Sequence, residues 1–269
     1  MSVNVSGNVI SSTGFDTTGN ILNTPSVVTS GLVLWLDAGN NASYINSSNY
    51  YDCGYGCQYY ASNPGCTNCN TQWKDMSGFG NDGGLTVAAI SYSNIGGAFS
   101  FNGSSAMVLI PNNTVFDTQT FTIECWFKPT SLNQQGFLFE KGTLNTQYSV
   151  YMETGNILNF RTWSLSNQDL AITTTTYLST TNWNHVCCTF GAGTKTIYVN
   201  GVQANQATSV TGTSPTNSGG ISIGVYGGYS GGRGYYFNGS ISVHRNYNKS
   251  LSADEVLQNF NTDRQRFGI

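Results

Sequence analysis

The chain has 269 residues, of which 9% are charged, against roughly 25% in an average soluble domain. Lys and Arg number 10 against 13 Asp and Glu, for a net charge of −3. With no basic excess to neutralise a phosphate backbone, nucleic acid is not an expected partner. No stretch approaches the ~18 uninterrupted apolar residues of a membrane span, so no membrane partner is expected either. The start, Met1-Ser2-Val3-Asn4-Val5-Ser6-Gly7-Asn8, lacks the positive end and apolar centre of a signal peptide, which predicts synthesis in the cytoplasm. So uncharged a surface suits a protein that lies against neighbours or faces sugars.

Residues 1–30 are rich in Ser, Thr, Asn and Gly and show little periodicity. They read as an extended arm that needs a partner surface to order it. Short apolar runs then recur between turn signals, beginning with Leu32-Val33-Leu34-Trp35-Leu36. A Tyr/Gly/Asn-rich insertion follows at about residues 46–72 and carries Cys53, Cys57, Cys66 and Cys69. These four either hold a tetrahedral zinc, form two disulfides or remain free thiols. In each case they brace a loop and do no chemistry. Phe121, Ile123, Cys125 and Phe127 alternate on one face, as in a half-buried strand. Cys125, Cys187 and Cys188 sit in apolar runs and read as small buried hydrophobes. Asn200-Gly201, between Ile197-Tyr198-Val199 and Val202, is a two-residue hairpin turn. Near the end, Ser252-Ala253-Asp254-Glu255 is a capping box, and Val256, Leu257 and Phe260 continue it as an apolar helical stripe. About a dozen strands and one short C-terminal helix predict an all-β, two-sheet antiparallel sandwich over residues 31–269.

Ordered motifs sharpen that expectation. Trp183-Asn184-His185-Val186, Lys195-Thr196-Ile197-Tyr198-Val199-Asn200-Gly201, Ile223-Gly224, Phe237-Asn238-Gly239-Ser240-Ile241 and Tyr247-Asn248-Lys249-Ser250-Leu251-Ser252 follow one another. The series resembles the laminin G-like, concanavalin A-like lectin jelly roll, especially its pentraxin-related branch. Ile123-Glu124-Cys125-Trp126-Phe127-Lys128-Pro129 looks like the central strand of that fold. Gly31-Leu32-Val33-Leu34-Trp35-Leu36-Asp37-Ala38-Gly39, Trp73-Lys74-Asp75-Met76-Ser77-Gly78-Phe79-Gly80-Asn81 and the ending Arg264-Gln265-Arg266-Phe267-Gly268-Ile269 resemble jelly rolls in virion proteins of tailed phages, marine ones in particular. The Cys-containing insertion before Trp73 is a departure from that pattern.

Some relatives with this fold are glycoside hydrolases, in which two carboxyls lie about 5 Å apart for retaining chemistry. The four Glu here, Glu124, Glu140, Glu153 and Glu255, include no Glu-x-Asp-x-x-Glu strand. No Gly-x-Ser-x-Gly elbow or His-Glu-x-x-His occurs, and His185 and His244 read as structural. The expectation is that the protein is not an enzyme. Resemblance to the family also raises calcium at the sandwich rim. Asn102 stands where Phe-Asp-Gly is usual, and Asp75 and Asn81 are weaker candidates, all three with an alternative role in Asx turns. Contacts with a glycan or a protein partner are expected from Tyr55, Tyr59 and Tyr60 in the insertion, and from Tyr229, Arg233 and Tyr235 around a Gly-rich loop. Together these predict a non-enzymatic phage virion surface protein, in capsid decoration or a fibre, held to other virion proteins by its arm. The alternative is a carbohydrate-binding adhesin for host or environmental glycans. Calcium, zinc and homo-oligomer formation stay open.

Overall fold

A computed structural model describes residues 26–44, 51–52, 58–59, 71–86, 89–94, 96–143, 147–214, 216, 218–227 and 232–269. In chain order the strands begin with β1 (Leu32–Asp37), β2 (Tyr51–Asp52), β3 (Gln58–Tyr59), β4 (Gln72–Trp73), β5 (Gly83–Leu85) and β6 (Ser91–Ser93). They continue with β7 (Ala98–Asn102), β8 (Val108–Ile110), β9 (Phe121–Pro129), β10 (Gly136–Lys141), β11 (Tyr148–Glu153) and β12 (Ile157–Thr162). The last are β13 (Asp169–Thr173), β14 (Asn184–Gly191), β15 (Thr194–Val199), β16 (Val202–Ala207), β17 (Ile221–Ile223) and β18 (Asn238–Tyr247). One turn of helix, α1 (Thr174–Tyr177), follows β13, and α2 (Ala253–Asp263) follows β18.

These strands make the predicted sandwich. The first sheet runs β16-β15-β14-β9-β18-β7-β6, with β1 also paired to β18. Ten-residue β18 serves two partners on one edge, β7 through Asn238–Ile241 and β1 through Val243–Tyr247. The second sheet runs β13-β12-β11-β10-β17-β8-β5-β4, and β2 and β3 form a separate hairpin. Between the sheets Phe121 stacks on Tyr148 at 3.9 Å and Phe139 on His244 at 4.9 Å. Cys125, Cys187 and Cys188 are buried and free, with burial pushing their thiols up. The Asn200-Gly201 turn has both residues at positive φ, 50° and 77°, as a type I′ hairpin requires.

Strand β9 departs from the half-buried expectation. Phe121, Ile123, Cys125 and Phe127 face the core, yet Thr122, Glu124 and Trp126 on the opposite side are also buried. Helix α2 is the reason, because it lies across the outer face of the first sheet. Its capping box is present, with Ser252 Oγ accepting the Glu255 N–H and Glu255 accepting the Ser252 N–H. Val256 and Phe260 are buried, but Leu257 is 42% exposed and so does not join the predicted stripe. Phe260 and Phe267 stack on Trp126 at 5.7 and 4.3 Å. The charges beneath the helix pair off. Glu124 accepts from Arg245 at 2.5 Å and from Asn259 at 2.6 Å, and Arg245 reaches Asp263 at 2.7 Å. His185 Nε2 lies 3.4 Å from the same Glu124 carboxylate. Glu124 and His185 are therefore structural. Within the expected arm, residues 26–28 are described and rest on this helix: Val27 and Val28 are buried, and the Val28 N–H donates to Asn259 at 2.8 Å.

Candidate binding face

Helix α2 covers the middle of the first sheet's outer side, and the outer face of the second sheet carries a cluster of aromatic and charged side chains. Strand alternation decides what projects there. On β11, Tyr148, Val150 and Met152 belong to the core, which leaves Ser149, Tyr151 and Glu153 outside. On β12 the outward residues are Ile157, Asn159 and Arg161, and on β13 Asp169, Ala171 and Thr173. A register shift between Phe137 and Phe139 on β10 turns Phe137 outward opposite Tyr151 while Phe139 stays in the core.

An aromatic platform results. Phe137 stacks on Tyr151 at 4.6 Å with an interplanar angle of 7°. The chain after β17 returns over this face, where Tyr226 and Gly234 pair backbone to backbone at 3.0 and 3.1 Å. This pairing brings Tyr226 to 4.8 Å and Tyr235 to 6.4 Å from Phe137, and the two Tyr rings to 5.7 Å from each other. Beside them Arg161 is sandwiched between Tyr151 and Trp163, at 5.0 and 4.8 Å. Arg161 also forms a two-pronged pair with Asp169 at 2.6 and 2.7 Å, a geometry in which the guanidinium is held flat. Glu153 accepts from Asn159 at 2.9 Å. Tyr235 sits at φ 49° with 49% of its surface exposed. A bulky side chain at positive φ costs of order 1–3 kcal/mol and is held only where the surroundings enforce it. Here the Tyr235 carbonyl accepts the Phe137 N–H at 3.0 Å, and the next strand, β18, begins three residues later at Asn238.

Of the residues expected to contact a ligand, the structure brings Tyr235 to this face, and Arg233 is exposed two residues before it. Tyr229, Tyr55, Tyr60 and the four insertion cysteines, Cys53, Cys57, Cys66 and Cys69, lie outside the described residues. Tyr59 is placed in β3 opposite Tyr51. Phe137, Tyr151, Tyr226, Arg161 and Trp163 complete the platform. Tyr226 flanks the same Gly-rich loop as Tyr235, whereas Phe137, Tyr151 and Arg161 lie in strands whose aromatic or charged residues the sequence presents no differently from core or surface ones.

The expected calcium positions are committed to turns. Asp75 accepts four hydrogen bonds, from the N–H groups of Trp35, Ser77 and Asn81 and from Ser77 Oγ. Asn102 Oδ1 accepts the N–H groups of Ser104, Ser105 and Ala106. Asn81 donates to the Val33 carbonyl and accepts from Asn113. Their oxygens accept from the protein's own donors, which is the turn role that stood as the alternative to calcium. Among the described residues no group of three or more His, Cys, Asp or Glu is placed to hold a metal ion.

A family model for the concanavalin A-like lectin/glucanases superfamily matches residues 102–257. The chain belongs to that superfamily, and its fold is the laminin G-like jelly roll that the motifs implied. Among solved structures it is similar to the "Binding domain of Botulinum Neurotoxin DC in complex with SialylT", at 17% identity and a TM-score of 0.61, over 87% of this chain and 52% of that one. A second similar structure is the "Binding domain of Botulinum neurotoxin DC in complex with rat synaptotagmin II", at 16% identity and a TM-score of 0.59, over 88% and 52%. The chain spans about half the length of these chains, and at such identity the likeness is one of fold. No curated protein matches the sequence.

Proposed function

We propose that this protein is a non-catalytic recognition protein whose ligand lies on the outer face of the second sheet, with Tyr235 as its exposed anchor. The observation that carries this reading is Tyr235 itself, half exposed at positive φ above Phe137 and Tyr226. Backbone strain of this kind is kept where a side chain must be presented. Aromatic rings on a rigid frame also give contact area at low entropic cost. The placement of carboxyls supports a non-catalytic role. The carboxyls on this face are engaged by the protein's own groups, Asp169 by Arg161, Glu153 by Asn159 and Glu140 by the Gly227 N–H.

In this reading the jelly roll is displayed on a phage virion surface, as capsid decoration or part of a fibre. The low charge and the resemblance of the 31–39, 73–81 and 264–269 motifs to virion jelly rolls support that setting. The segment before Ser26 would make the attachment to other virion proteins. A second reading, a carbohydrate-binding adhesin, is favoured by the same platform, since Tyr rings stack on sugar faces, and the two readings are compatible.

The binding claim is tested with the full chain on a glycan array, beside Tyr235→Ala. Binding that falls about tenfold in the variant without a change in Tm is expected, and equal binding by both proteins would remove Tyr235 from the site. The virion claim is tested by loading onto purified particles. Deleting residues 2–25 should abolish incorporation, and undiminished loading would assign attachment to another surface.

A further inference from the structure

One row on the binding face is polar and enclosed. Glu140 pairs across the sheet with Ser149 on β11 and with Ser222 on β17. Directly opposed residues project to the same side, so the three side chains stand next to one another on neighbouring strands. Their exposures are 0%, 1% and 0%. Glu140 Oε2 accepts the Gly227 N–H at 2.6 Å. Glu140 Oε1, Ser149 Oγ and Ser222 Oγ have no hydrogen-bond partner in the protein. Each buried polar group left unpaired costs about 1–3 kcal/mol. Ala or Val would fill this row of a sheet without that cost, so the arrangement asks for an occupant with hydroxyl chemistry.

The surroundings narrow the occupant. Alongside lie Phe137 and Tyr151, with Tyr226 above and Tyr235 open to solvent at the rim. Flat apolar rings next to a carboxyl and two hydroxyls suit a sugar, which has an apolar ring face and a hydroxylated edge. Near this region Arg161 is held by Asp169 and Glu153 by Asn159, while Arg233 is exposed two residues before Tyr235. Among the described residues Glu140 forms no salt bridge, so an anionic ligand gains no cation from the row.

We propose that Glu140, Ser149 and Ser222 form a hydroxyl-reading subsite of the binding face, specific for an uncharged saccharide whose ring stacks on Tyr226 and Tyr235. This rests on the binding reading above. Glu140 Oε1 accepts from one sugar hydroxyl while the two serine hydroxyls donate to or accept from its neighbours. Entry requires the Gly227 N–H to leave Glu140 Oε2, with a sugar hydroxyl taking its place.

The full chain is titrated with a panel of neutral hexose and N-acetylhexosamine oligosaccharides and their sialylated counterparts. Neutral members should bind more tightly. Ser149→Ala and Ser222→Ala should each weaken binding about 3- to 10-fold, and Glu140→Ala by tenfold or more, with Glu140→Gln between them. In the absence of ligand, Ser149→Ala and Ser222→Ala should keep or raise Tm, because each removes an unpaired buried hydroxyl. Purely structural serines would instead lower Tm and leave affinity untouched. A wild type that binds a saccharide while all four variants bind equally well overturns the subsite and leaves the binding face standing. A preference for sialylated members overturns the uncharged class, and binding of no member overturns both the subsite and the glycan reading of the face.

Discussion

Glu124 and Glu140 are both fully buried, one under helix α2 and the other beneath Tyr226 and Gly227, and their surroundings drive them in opposite directions. Burial raises the Glu124 carboxyl, but Arg245, with His185 and Asn259, outweighs it and holds it at about 2. Its contribution to stability is complete above the usual carboxylate range and is lost as pH falls toward 2. Burial also raises Glu140, and the single Gly227 N–H offsets little of it, leaving the group at about 7. The folded chain then binds this proton more tightly than the unfolded chain, so the contribution is full below about 4.5 and declines as pH rises through 7. His244, lowered by burial to about 4, works the other way between its ordinary range and pH 4, so the wild-type profile is a sum. The difference between wild type and Glu140→Gln isolates one group. Urea unfolding at pH 4.5 and pH 8 should show the wild type losing on the order of 2 kcal/mol relative to the variant, and parallel profiles would contradict this environment for Glu140. Glu124→Ala leaves the buried Arg245 with Asp263 alone and removes an acceptor of Asn259, and should cost about 3–5 kcal/mol in the same assay.

Helix α2 carries three separable contributions. Phe260 is 8% exposed and stacks on Trp126, so Phe260→Ala should cost about 3–5 kcal/mol. Leu257 is 42% exposed, and Leu257→Ala should change stability by less than about 1 kcal/mol, which sequence periodicity would not suggest. Ser252→Ala removes the cap and should cost about 1 kcal/mol. These three values, read from urea midpoints, test whether the helix is held chiefly by its packed face. The hairpin between β15 and β16 meets the same helix. A Cβ at Gly201 would stand 3.0 Å from Leu257 and Phe260, on a backbone at φ 77°.

The whole molecule has two unequal outer faces, and α2 accounts for the difference. It closes the first sheet over a paired ionic cluster and receives Val27 and Val28 from the N-terminal side. Removing residues through 28, compared with removal through 25, should therefore cost a further ~3 kcal/mol, from two buried valines and the Val28 N–H to Asn259. Equal stability of the two truncations would show that this docking contributes nothing. Among the described residues no helix lies over the second sheet as α2 lies over the first, and Tyr226 and Tyr235 pack on its Phe137 instead. The proposed binding site belongs to the face that α2 leaves uncovered.

Much of this architecture is written into local pattern. Alternation at Phe121–Phe127, the positive-φ pair Asn200-Gly201 and the Ser252–Glu255 box each act over a few residues, so each could be read without knowing what lies opposite. The ordered motifs from Trp183 to Ser252 likewise led to the correct superfamily. Tyr226 and Tyr235 stood out in the sequence as aromatics flanking a Gly-rich loop, a setting that suits contact or packing alike. The strand-borne part of the platform did not. Whether Tyr151 faces core or solvent depends on the register of β11 against β10, and Phe137 turns outward through a register shift that leaves no mark in sequence. The Glu140–Ser149–Ser222 row joins residues up to 82 positions apart through pairing of β10 with β11 and β17. Glu124 could not be told from Glu140 for the same reason: what sets the charge of a buried carboxyl is the company that folding brings to it, Arg245 in one case and a lone backbone N–H in the other.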